Sequence, residues 1–364
     1  MTSKLISACF VFGNFPGMNL KFLKPKLVMS NIKDVSVGIY HMTLLGDAGE
    51  VYTLGSDSYY KHLTHSHSLN PVSVPLPKMV KVQSGEAFTA SLTESGQVYT
   101  WGSNGQHSIW SRLGGRRHCL GRKKPEKLVQ PLPIEFQEEI VDIKCGRSHC
   151  LALGVNNLYS WGSNDYGQLG NTDLFGYNET PKLVSFFNKL DEKVVKIDAA
   201  EYSSVALTAS GKVYAWGNNE KFNLSLKKEK KMVPDPTLIP LSLVKPIKDI
   251  AIGSNTIMLI DESGEIYAGG MNYWPECKDF LLPVSSPPTQ IVCGTDYFAV
   301  LVADGNLVHY GGPFSNISIN FDMPEKVEIM LKSFVPGNIC KLDGKHELIA
   351  AISIVPEDKP TDIK

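Results

Sequence analysis

Residues 145–171 read CGRSHCLALGVNNLYSWGSNDYGQLGN, and this segment defines the pattern that the rest of the chain follows. An apolar run at 150–153 leads into a Gly-Val-Asn-Asn turn, and a second run at 158–161 ends at Gly162. Two short apolar runs joined by a tight turn of glycine and asparagine are typical of a β-hairpin. The segment therefore predicts two paired strands.

The same hairpin pattern recurs along the chain. Each copy opens with a small residue and closes with a glycine 17 residues later, or 16 residues later in the copy that opens at Gly146. The closing glycines recur every 41–60 residues, at Gly55, Gly102, Gly162, Gly217, Gly270 and Gly311. Hairpin repeats of this period indicate the blades of a β-propeller, because one such sheet cannot bury its own apolar face.

The two ends of the chain carry complementary halves of one more repeat. An opening half lies at 342–352 without a closing half, and a closing half lies at 6–14. Pairing them would close a ring and remove two free sheet edges. We therefore predict an all-β, seven-bladed propeller over residues 1–355, in which 1–14 pair with 335–355, followed by a short polar tail at 356–364.

The repeats resemble those of the regulator of chromosome condensation (RCC1-like) family, in which a Gly-x-x-His segment precedes a Val-Tyr-x-Trp-Gly segment. The resemblance implies a structural role in the ring for the repeat positions Gly38, His41, Gly55, Gly85, Trp101, Gly102, Gly146, His149, Trp161, Gly162, Trp216 and Gly217. The family includes guanine-nucleotide exchange factors, chromatin-binding proteins, ubiquitin-ligase adaptors and trafficking scaffolds. Fold alone does not choose among these functions.

The histidine of the repeat is not expected to be catalytic, since few copies have it. Where two copies have His41 and His149, the others have Phe88, Ser203, Thr256, Tyr297 and Glu347. Side chains of such different chemistry cannot all perform one catalytic step. We therefore expect the histidines to stabilise the ring through hydrogen bonds.

The overall composition is that of a nearly neutral globular protein. Of the 364 residues 43% are hydrophobic, and the formal net charge is -1, so no global charge attracts nucleic acid or membrane. The apolar stretch at 5–12 is too short to span a bilayer. Seven cysteines without a CxxC pair favour a reducing compartment, in the cytoplasm or the nucleus, and Cys145 is expected to be a packing residue.

A basic segment at 104–133 stands out as the candidate partner-binding site. Its basic and aromatic side chains form a local positive field, and arginine suits bidentate contacts with carboxylates. The predicted binding residues are Trp110, Arg112, Arg116, Arg117, Arg122, Lys123 and Lys124. The alternative is a solvated loop. In exchange factors of the family, an insertion at a similar place contacts the GTPase, but no motif here matches it.

A second basic cluster at 227–231 is most simply a solvated lysine loop. The sequence leaves open whether it lies on the same face of the ring as the arginine-rich segment. His62, His65 and His67 could be read as metal ligands, but no carboxylate or cysteine is nearby, so we expect a loop and no metal.

No sequence motif of a phosphate-binding loop, zinc protease, serine hydrolase or dinucleotide fold is present. We therefore predict a non-catalytic, monomeric propeller without a cofactor, which binds another protein as a scaffold, adaptor or regulatory subunit and does not insert into a membrane. One alternative is a guanine-nucleotide exchange factor for a small GTPase of the Ran or Rab type. A weaker alternative is attachment to chromatin or nucleic acid through the basic loops.

Overall fold

The computed structural model describes most of the chain as antiparallel sheets. It covers residues 5–15, 20–55, 68–104, 118–123, 130–171, 176–221, 223–224, 226, 230–241, 245–270, 284, 286–295, 297–304, 307–311, 326–329, 338–345 and 348–356. Within these residues, six sheets have four strands and one has three. Each sheet is one blade, which confirms the seven-bladed propeller.

Blade seven joins the two ends of the chain. It contains β1 (Leu5–Phe15), β2 (Leu20–Ser30), β26 (Asn338–Lys345) and β27 (Leu348–Pro356). The strand order is β2-β1-β27-β26, and β1 pairs with β27 from Leu5 opposite Pro356 to Gly13 opposite Leu348. The ring is therefore closed by the N-terminal strand, as predicted. The closure uses two N-terminal strands rather than the predicted 1–14 alone, because β2 supplies the outer strand.

The other strands follow in chain order, each blade running outwards from the central channel. Blades one and two contain β3 (Ile32–Val37), β4 (His41–Gly46), β5 (Val51–Gly55), β6 (Ser68–Val74), β7 (Met79–Ser84), β8 (Phe88–Thr93), β9 (Val98–Gly102) and β10 (Leu132–Ile134). Blades three and four contain β11 (Ile140–Cys145), β12 (His149–Gly154), β13 (Leu158–Ser163), β14 (Tyr177–Leu183), the helix α1 (Phe186–Leu190), β15 (Val194–Ala200), β16 (Ser203–Thr208), β17 (Val213–Asn218) and β18 (Met232–Leu238). Blades five and six contain β19 (Ile247–Ile252), β20 (Thr256–Asp261), β21 (Ile266–Gly270), β22 (Pro288–Cys293), β23 (Tyr297–Val302), β24 (Leu307–Gly311) and β25 (Lys326–Ile329).

The buried side chains form seven apolar cores, one at each interface between neighbouring blades. Strand β1 contributes to two of them, because successive side chains of a strand point to opposite faces. Ile6, Ala8 and Phe10 pack with blade six, whereas Cys9 and Val11 pack with blade one. Each blade is therefore stabilised by packing against the faces of its two neighbours, rather than around one central core.

The pairing register reproduces the sequence repeat. His149 lies opposite Gly162, and the equivalent pairs are His41 and Gly55, Phe88 and Gly102, Ser203 and Gly217, Thr256 and Gly270, and Tyr297 and Gly311. In blade seven, Leu348 rather than Glu347 lies at this position, opposite Gly13. The sequence pattern of that half-repeat was therefore displaced by one residue, because Lys345, and not the preceding Gly344, occupies the opening position.

The closing glycine is required by its backbone conformation. Gly217 has a φ of 106°, and a Cβ atom there would lie 2.3 Å from the carbonyl oxygen of Tyr202. A side chain would clash with the adjacent strand, and a positive φ is costly for any residue that has a Cβ. This constraint explains why the closing position is glycine in every copy.

A ring of polar side chains with alternating charge lines the channel. Equivalent positions of the innermost strands are Asp34, Lys81, Asp142, Lys196, Asp249, Gln290 and Lys341. Neighbouring blades are joined by the ion pairs Lys81–Asp142, Lys196–Asp249 and Lys341–Asp34. Positive and negative side chains cannot alternate strictly around a ring with an odd number of blades. The neutral Gln290 occupies the position between Asp249 and Lys341, and it hydrogen-bonds the backbone of Leu342 through both its amide atoms.

A second layer of the channel carries Lys144, whose ammonium lies 3.0 Å from Asp198 of the next blade. Burial opposes the charge on this lysine, but the carboxylates of Asp198 and Asp142 outweigh burial and raise its pKa above the usual value. Lys144 therefore remains charged, and its ion pair ties blade three to blade four.

Cys145 is buried in the core between blades two and three, as expected of a packing residue, but it also has a covalent partner. Cys145 and Cys150 lie opposite each other on β11 and β12, with Cα atoms 4.2 Å apart, and form a disulfide. Directly opposed residues on antiparallel strands bring their side chains together, which a search for CxxC spacing cannot detect. Cys9, Cys119 and Cys293 are buried, and Cys340 is exposed.

Across the described residues, no helix has both the length and the apolar character needed to cross a lipid bilayer.

Candidate partner-binding face

The two faces of the ring carry different turns. We call one of them the upper face. It carries the turn that joins the first and second strands of each blade, as at 146–148, and the third strand of each blade ends there. Because His149 pairs with Gly162, the turn at 146–148 and the end of β13 lie at the same edge of blade three. The lower face carries the turns between second and third strands, such as residues 155–157.

Blade three shows how the chain leaves the third strand. The side-chain oxygen of Asn164 accepts a hydrogen bond from the backbone nitrogen of Leu169, at 2.9 Å. The hydroxyl of Ser160 donates to the carbonyl oxygen of Leu169, at 2.8 Å. The Gly-Gln-Leu-Gly turn is thus fastened to the blade by one asparagine and one hydroxyl.

Blade two contains the same turn, interrupted by an insertion. Asn104 accepts from the backbone nitrogen of Leu120 at 3.0 Å, and Thr100 donates to the carbonyl oxygen of Leu120 at 2.7 Å. Asn104 and Leu120 are 16 residues apart, whereas Asn164 and Leu169 are 5 residues apart. The turn is not recognisable in the sequence, because only the Leu-Gly pair at 120–121 matches the repeat.

The predicted binding residues are divided by this turn into two groups. Trp110, Arg112, Arg116 and Arg117 belong to the insertion, and they lie outside the described residues, as does Lys124. Arg122 follows the turn, is partly buried and donates a hydrogen bond to the carbonyl oxygen of Thr100 at 3.0 Å. Lys123 is exposed. Arg122 therefore stabilises blade two through the backbone of β9.

Both ends of the insertion lie at the upper face. Asn104 follows the end of β9, and Cys119 donates from its thiol to the carbonyl oxygen of Ser148 in the upper turn of blade three, at 3.5 Å. His118 is buried, stacks on Tyr177 with ring centroids 4.0 Å apart and lies 3.5 Å from a carboxylate oxygen of Glu179. The segment that carries the arginines is thus anchored between blades two and three.

Two repeat tryptophans fasten their blades to the turn of the preceding blade. The indole nitrogen of Trp161 donates to the carbonyl oxygen of Cys119 at 3.0 Å, and that of Trp216 donates to the carbonyl oxygen of Gln168 at 2.9 Å. Both tryptophans are fully buried. For Trp101, the equivalent turn of the preceding blade falls within residues 56–67, which lie outside the described part of the chain.

The repeat histidines also bridge neighbouring blades. His149 Nε2 lies 3.0 Å from the hydroxyl oxygen of Ser204, and His41 Nε2 lies 2.8 Å from that of Thr89. Ser204 donates its hydroxyl hydrogen to the carbonyl oxygen of Gln168 at 2.8 Å. Because a serine hydroxyl has one hydrogen, His149 must donate from Nε2 to Ser204.

We expect His149→Ala to lower the free energy of unfolding by about 1–3 kcal/mol, because it breaks a buried hydrogen bond between blades three and four. Urea titration of this variant, of Ser204→Ala and of the double variant measures the coupling between the two side chains. An unchanged free energy of unfolding would contradict the prediction. If the folded variant instead lost its partner, His149 would belong to the binding site.

At the upper mouth of the channel, Arg147 joins three blades. Its guanidinium lies 2.7 Å from Glu86 of blade two and 3.8 Å from Glu201 of blade four, and 5.6 Å from the ring centroid of Tyr202. Tyr202 in turn contacts Tyr166, with centroids 4.6 Å apart. This arrangement gives the upper face charged and aromatic side chains that are partly exposed.

The described residues show no metal centre. His62, His65 and His67 lie outside the described residues. In the described part of the chain, no group of three or more histidine, cysteine, aspartate or glutamate side chains is placed to hold a metal ion.

Comparison with known proteins identifies the family. The profile of the RCC1-like domain matches residues 16–279. The chain belongs to the RCC1-like domain family. Among curated relatives of this RCC1-like propeller, the human E3 ubiquitin-protein ligase HERC2 is 32% identical over 274 residues, which are 71% of this chain and 5% of HERC2. The mouse RCC1-like G exchanging factor-like protein is 27% identical over 319 residues, which are 78% of this chain and 65% of that protein.

Solved structures show the same RCC1-like fold. Human WBSCR16 matches with a TM-score of 0.79 and 18% identity, covering 95% of this chain and 98% of WBSCR16. Prp20p of Saccharomyces cerevisiae, whose structure was described with its binding to Gsp1p and histones, matches with a TM-score of 0.79 and 16% identity over 96% of this chain and 92% of Prp20p. At such identities the likeness concerns the fold alone.

Proposed function

We propose that this RCC1-like propeller is a non-catalytic interaction module that binds a partner protein through its upper face, around the arginine-rich insertion. The observation that carries the proposal is the intact turn of blade two. Asn104, Leu120 and Thr100 form the same hydrogen bonds as their counterparts in blade three, at 3.0 and 2.7 Å. The ring is therefore complete without the inserted residues, and their basic character serves something other than the fold.

The chemistry of the insertion suits an acidic protein surface. It contains Trp110, Arg112, Arg116 and Arg117. Arginine and tryptophan are enriched among the residues that dominate binding energy at protein interfaces. Guanidinium groups also form bidentate contacts with carboxylates. A partner that presents carboxylates beside an apolar pocket would meet both requirements.

The second basic cluster, at 227–231, also supports the upper face as the binding surface. Asn219 at the end of β17 accepts from the backbone nitrogen of Leu224 at 3.2 Å, so it is the counterpart of Asn104 in blade four. Lys230 and Lys231 are exposed and hydrogen-bond Asn219 through their carbonyl oxygens, at 2.8 Å each. Two basic segments thus leave the upper face on either side of blade three.

A graft tests the proposal without disturbing the ring. We expect replacement of residues 105–119 by the Asp-Tyr-Gly-Gln of blade three to leave the melting temperature nearly unchanged, since the turn bonds are retained. Proteins captured by the wild type in affinity purification should be lost from the graft and from Arg112→Ser/Arg116→Ser/Arg117→Ser. The control Lys182→Ser/Lys189→Ser/Lys212→Ser removes as much charge elsewhere and should capture normally. Equal capture by the graft would refute the assignment.

Guanine-nucleotide exchange is the second candidate, favoured by the 27% identity to the mouse exchanging factor-like protein across 78% of this chain. Exchange needs no covalent chemistry, only tighter binding of the nucleotide-free GTPase than of the loaded form. Release of a fluorescent GDP analogue from Ran- and Rab-type GTPases, measured with excess free nucleotide, separates the two functions. Acceleration by the wild type but not by the graft would support exchange; capture without acceleration would support a scaffold or adaptor.

A further inference from the structure

The disulfide of blade three joins the two ends of its upper turn. Cys145 is the last residue of β11, Cys150 is the second residue of β12, and the turn at 146–148 lies between the two strands. The backbone nitrogen of Gly146 donates to the carbonyl oxygen of His149 at 2.9 Å, so the cysteines form a pair of the ladder that exchanges no hydrogen bonds of its own. Opposed side chains lie closest together in such pairs. The register of the two strands therefore brings the sulfur atoms together.

The turn at 146–148 connects three blades. The backbone nitrogen of Arg147 donates to the carbonyl oxygen of Glu201 in blade four, and its carbonyl oxygen accepts from the backbone nitrogen of Glu86 in blade two, both at 2.9 Å. The carbonyl oxygen of Ser148 accepts from the thiol of Cys119 at 3.5 Å. The conformation of this turn therefore affects contacts beyond its own blade.

The disulfide also lies beside a repeat tryptophan. Cys150 is opposite Cys145 on one side and opposite Trp161 on the other, and all three belong to the core between blades two and three. The indole nitrogen of Trp161 donates to the carbonyl oxygen of Cys119 at 3.0 Å. Two paths thus lead from the disulfide to Cys119, one through Ser148 and the other through Trp161.

Cys119 lies where the arginine-rich insertion rejoins blade two. Arg117 precedes it by two residues, and the next residue, Leu120, forms the turn bond with Asn104. The position of Cys119 therefore determines where the arginines leave the upper face. A rearrangement at the disulfide would reach the base of the insertion through the two paths.

Reduction of the disulfide requires such a rearrangement. Cys145 and Cys150 are fully buried. Non-bonded sulfur atoms keep farther apart than bonded ones, and a densely packed core gives them this space only when neighbouring atoms shift. The cysteines are only five residues apart in sequence, so the bond restricts the unfolded chain little. Its loss should therefore act on the turn more than on the stability of the whole ring.

The remaining described cysteines are thiols. Cys9, Cys119 and Cys293 are buried, and Cys340 is exposed. The cysteine usage of the chain predicts a reducing compartment, where disulfides are usually transient and serve catalysis or redox sensing. One disulfide among thiols, placed at the base of a binding segment, fits a sensing role better than a purely structural one.

We propose that Cys145 and Cys150 form a redox switch that controls the anchoring of the arginine-rich insertion. The disulfide holds the turn at 146–148 and Cys119 in place, and the dithiol loosens both. The inference deepens the proposed function and rests on it, since the insertion is the binding site that the switch would regulate.

The reductant is a dithiol, and the reaction is thiol–disulfide exchange. A thiolate of the reductant attacks one sulfur of the pair and forms a mixed disulfide, while the other sulfur leaves as a thiolate and takes up a proton. The second thiol of the reductant then displaces the first cysteine. Two electrons and two protons pass to Cys145 and Cys150, and the reductant becomes a disulfide.

Hydrogen exchange tests the switch without any partner. The protein is full-length Cys277→Ser/Cys340→Ser, because Cys340 is exposed and Cys277 lies outside the described residues. It is equilibrated with dithiothreitol at increasing ratios of the reduced to the oxidised form. Alkylation and mass spectrometry then give the fraction of Cys145 and Cys150 that is joined.

We expect the backbone amides of Leu120 and Gly121, which are hydrogen-bonded within the turn of blade two, to exchange faster by about threefold or more in the dithiol form. The matched control is the amide of Leu224, which forms the equivalent bond to Asn219 in blade four and should exchange equally in both forms. Cys145→Ser/Cys150→Ser should exchange rapidly at Leu120 in every mixture. The reduced protein gives the same comparison without a substitution in the core.

Three results would overturn the proposal. They are a pair that remains entirely joined or entirely reduced in all mixtures, equal exchange at Leu120 in both forms, and faster exchange at Leu224 by the same factor. Affinity purification then tests the link to binding, since the dithiol form should capture less of the partner, and equal capture by both forms would contradict regulation. Hydrogen exchange needs no partner, so normal capture by the blade-two graft would refute only the proposed function.

Discussion

Deletion of residues 1–14 is expected to abolish cooperative folding. This deletion removes almost all of β1, an inner strand of blade seven that packs into two of the seven cores, through Phe10 on one side and Val11 on the other. Among the described residues, the deletion removes five buried apolar side chains and the buried Ser7, and native domains are stabilised by only about 5–15 kcal/mol in total. The truncated protein should therefore aggregate or show no unfolding transition in calorimetry and urea titration.

Two point variants in β1 give a graded test. Phe10 is fully buried, so Phe10→Ala should lower the free energy of unfolding by about 3–5 kcal/mol. Leu5 lies in the same strand but is 63% exposed, so Leu5→Ala should change stability by no more than about 0.5 kcal/mol. A truncated protein that melts at the wild-type temperature would show that the ring does not need its N-terminal closure.

Replacement of Trp161 by alanine should have the second largest effect. Trp161 is fully buried in the core between blades two and three, and its indole nitrogen donates to the carbonyl oxygen of Cys119 at 3.0 Å. Removal of a buried tryptophan leaves a cavity and costs about 3–5 kcal/mol. The same change frees the turn that anchors the arginine-rich insertion. Trp161→Ala should therefore weaken partner capture by the insertion even in the folded protein.

Trp161→Phe separates the hydrogen bond from the packing. It retains an aromatic ring, leaves the carbonyl oxygen of Cys119 without its indole donor and should cost about 1–3 kcal/mol. Trp101→Phe is the matched comparison, because no acceptor for its indole nitrogen lies within the described residues. Urea titration of both variants checks the prediction. Equal losses in the two would mean that the bond to Cys119 contributes little beyond packing.

The sequence predicted the ring well because the ring is built from local signals. The period-two apolar runs, the closing glycines and the split repeat at the two termini are properties of short segments. A glycine at the position of Gly217, which has a φ of 106°, recurs in every copy because no other residue fits this backbone conformation. Recurrence of these signals is sufficient to give the blade count and the closure.

The sequence was less informative where the blades depart from the repeat. The basic residues at 104–133 read as one loop, yet Leu120 and Arg122 fasten the middle of that segment to blade two, at 3.0 Å in each case. The pairing of Cys145 with Cys150 likewise depends on which residues face each other across two strands. Such relations follow from register, which neither composition nor spacing determines.

The sequence by itself determined that this chain forms seven blades and closes its ring with the N-terminal strand. Only the tertiary structure decided which faces the side chains occupy. Val80, Val141 and Val195 are far apart in sequence and look like ordinary strand residues, but a bulge in each strand turns them outwards at one mouth of the channel. The physical reason is that a strand's pattern specifies burial along one segment, whereas a surface is assembled from equivalent positions of several blades.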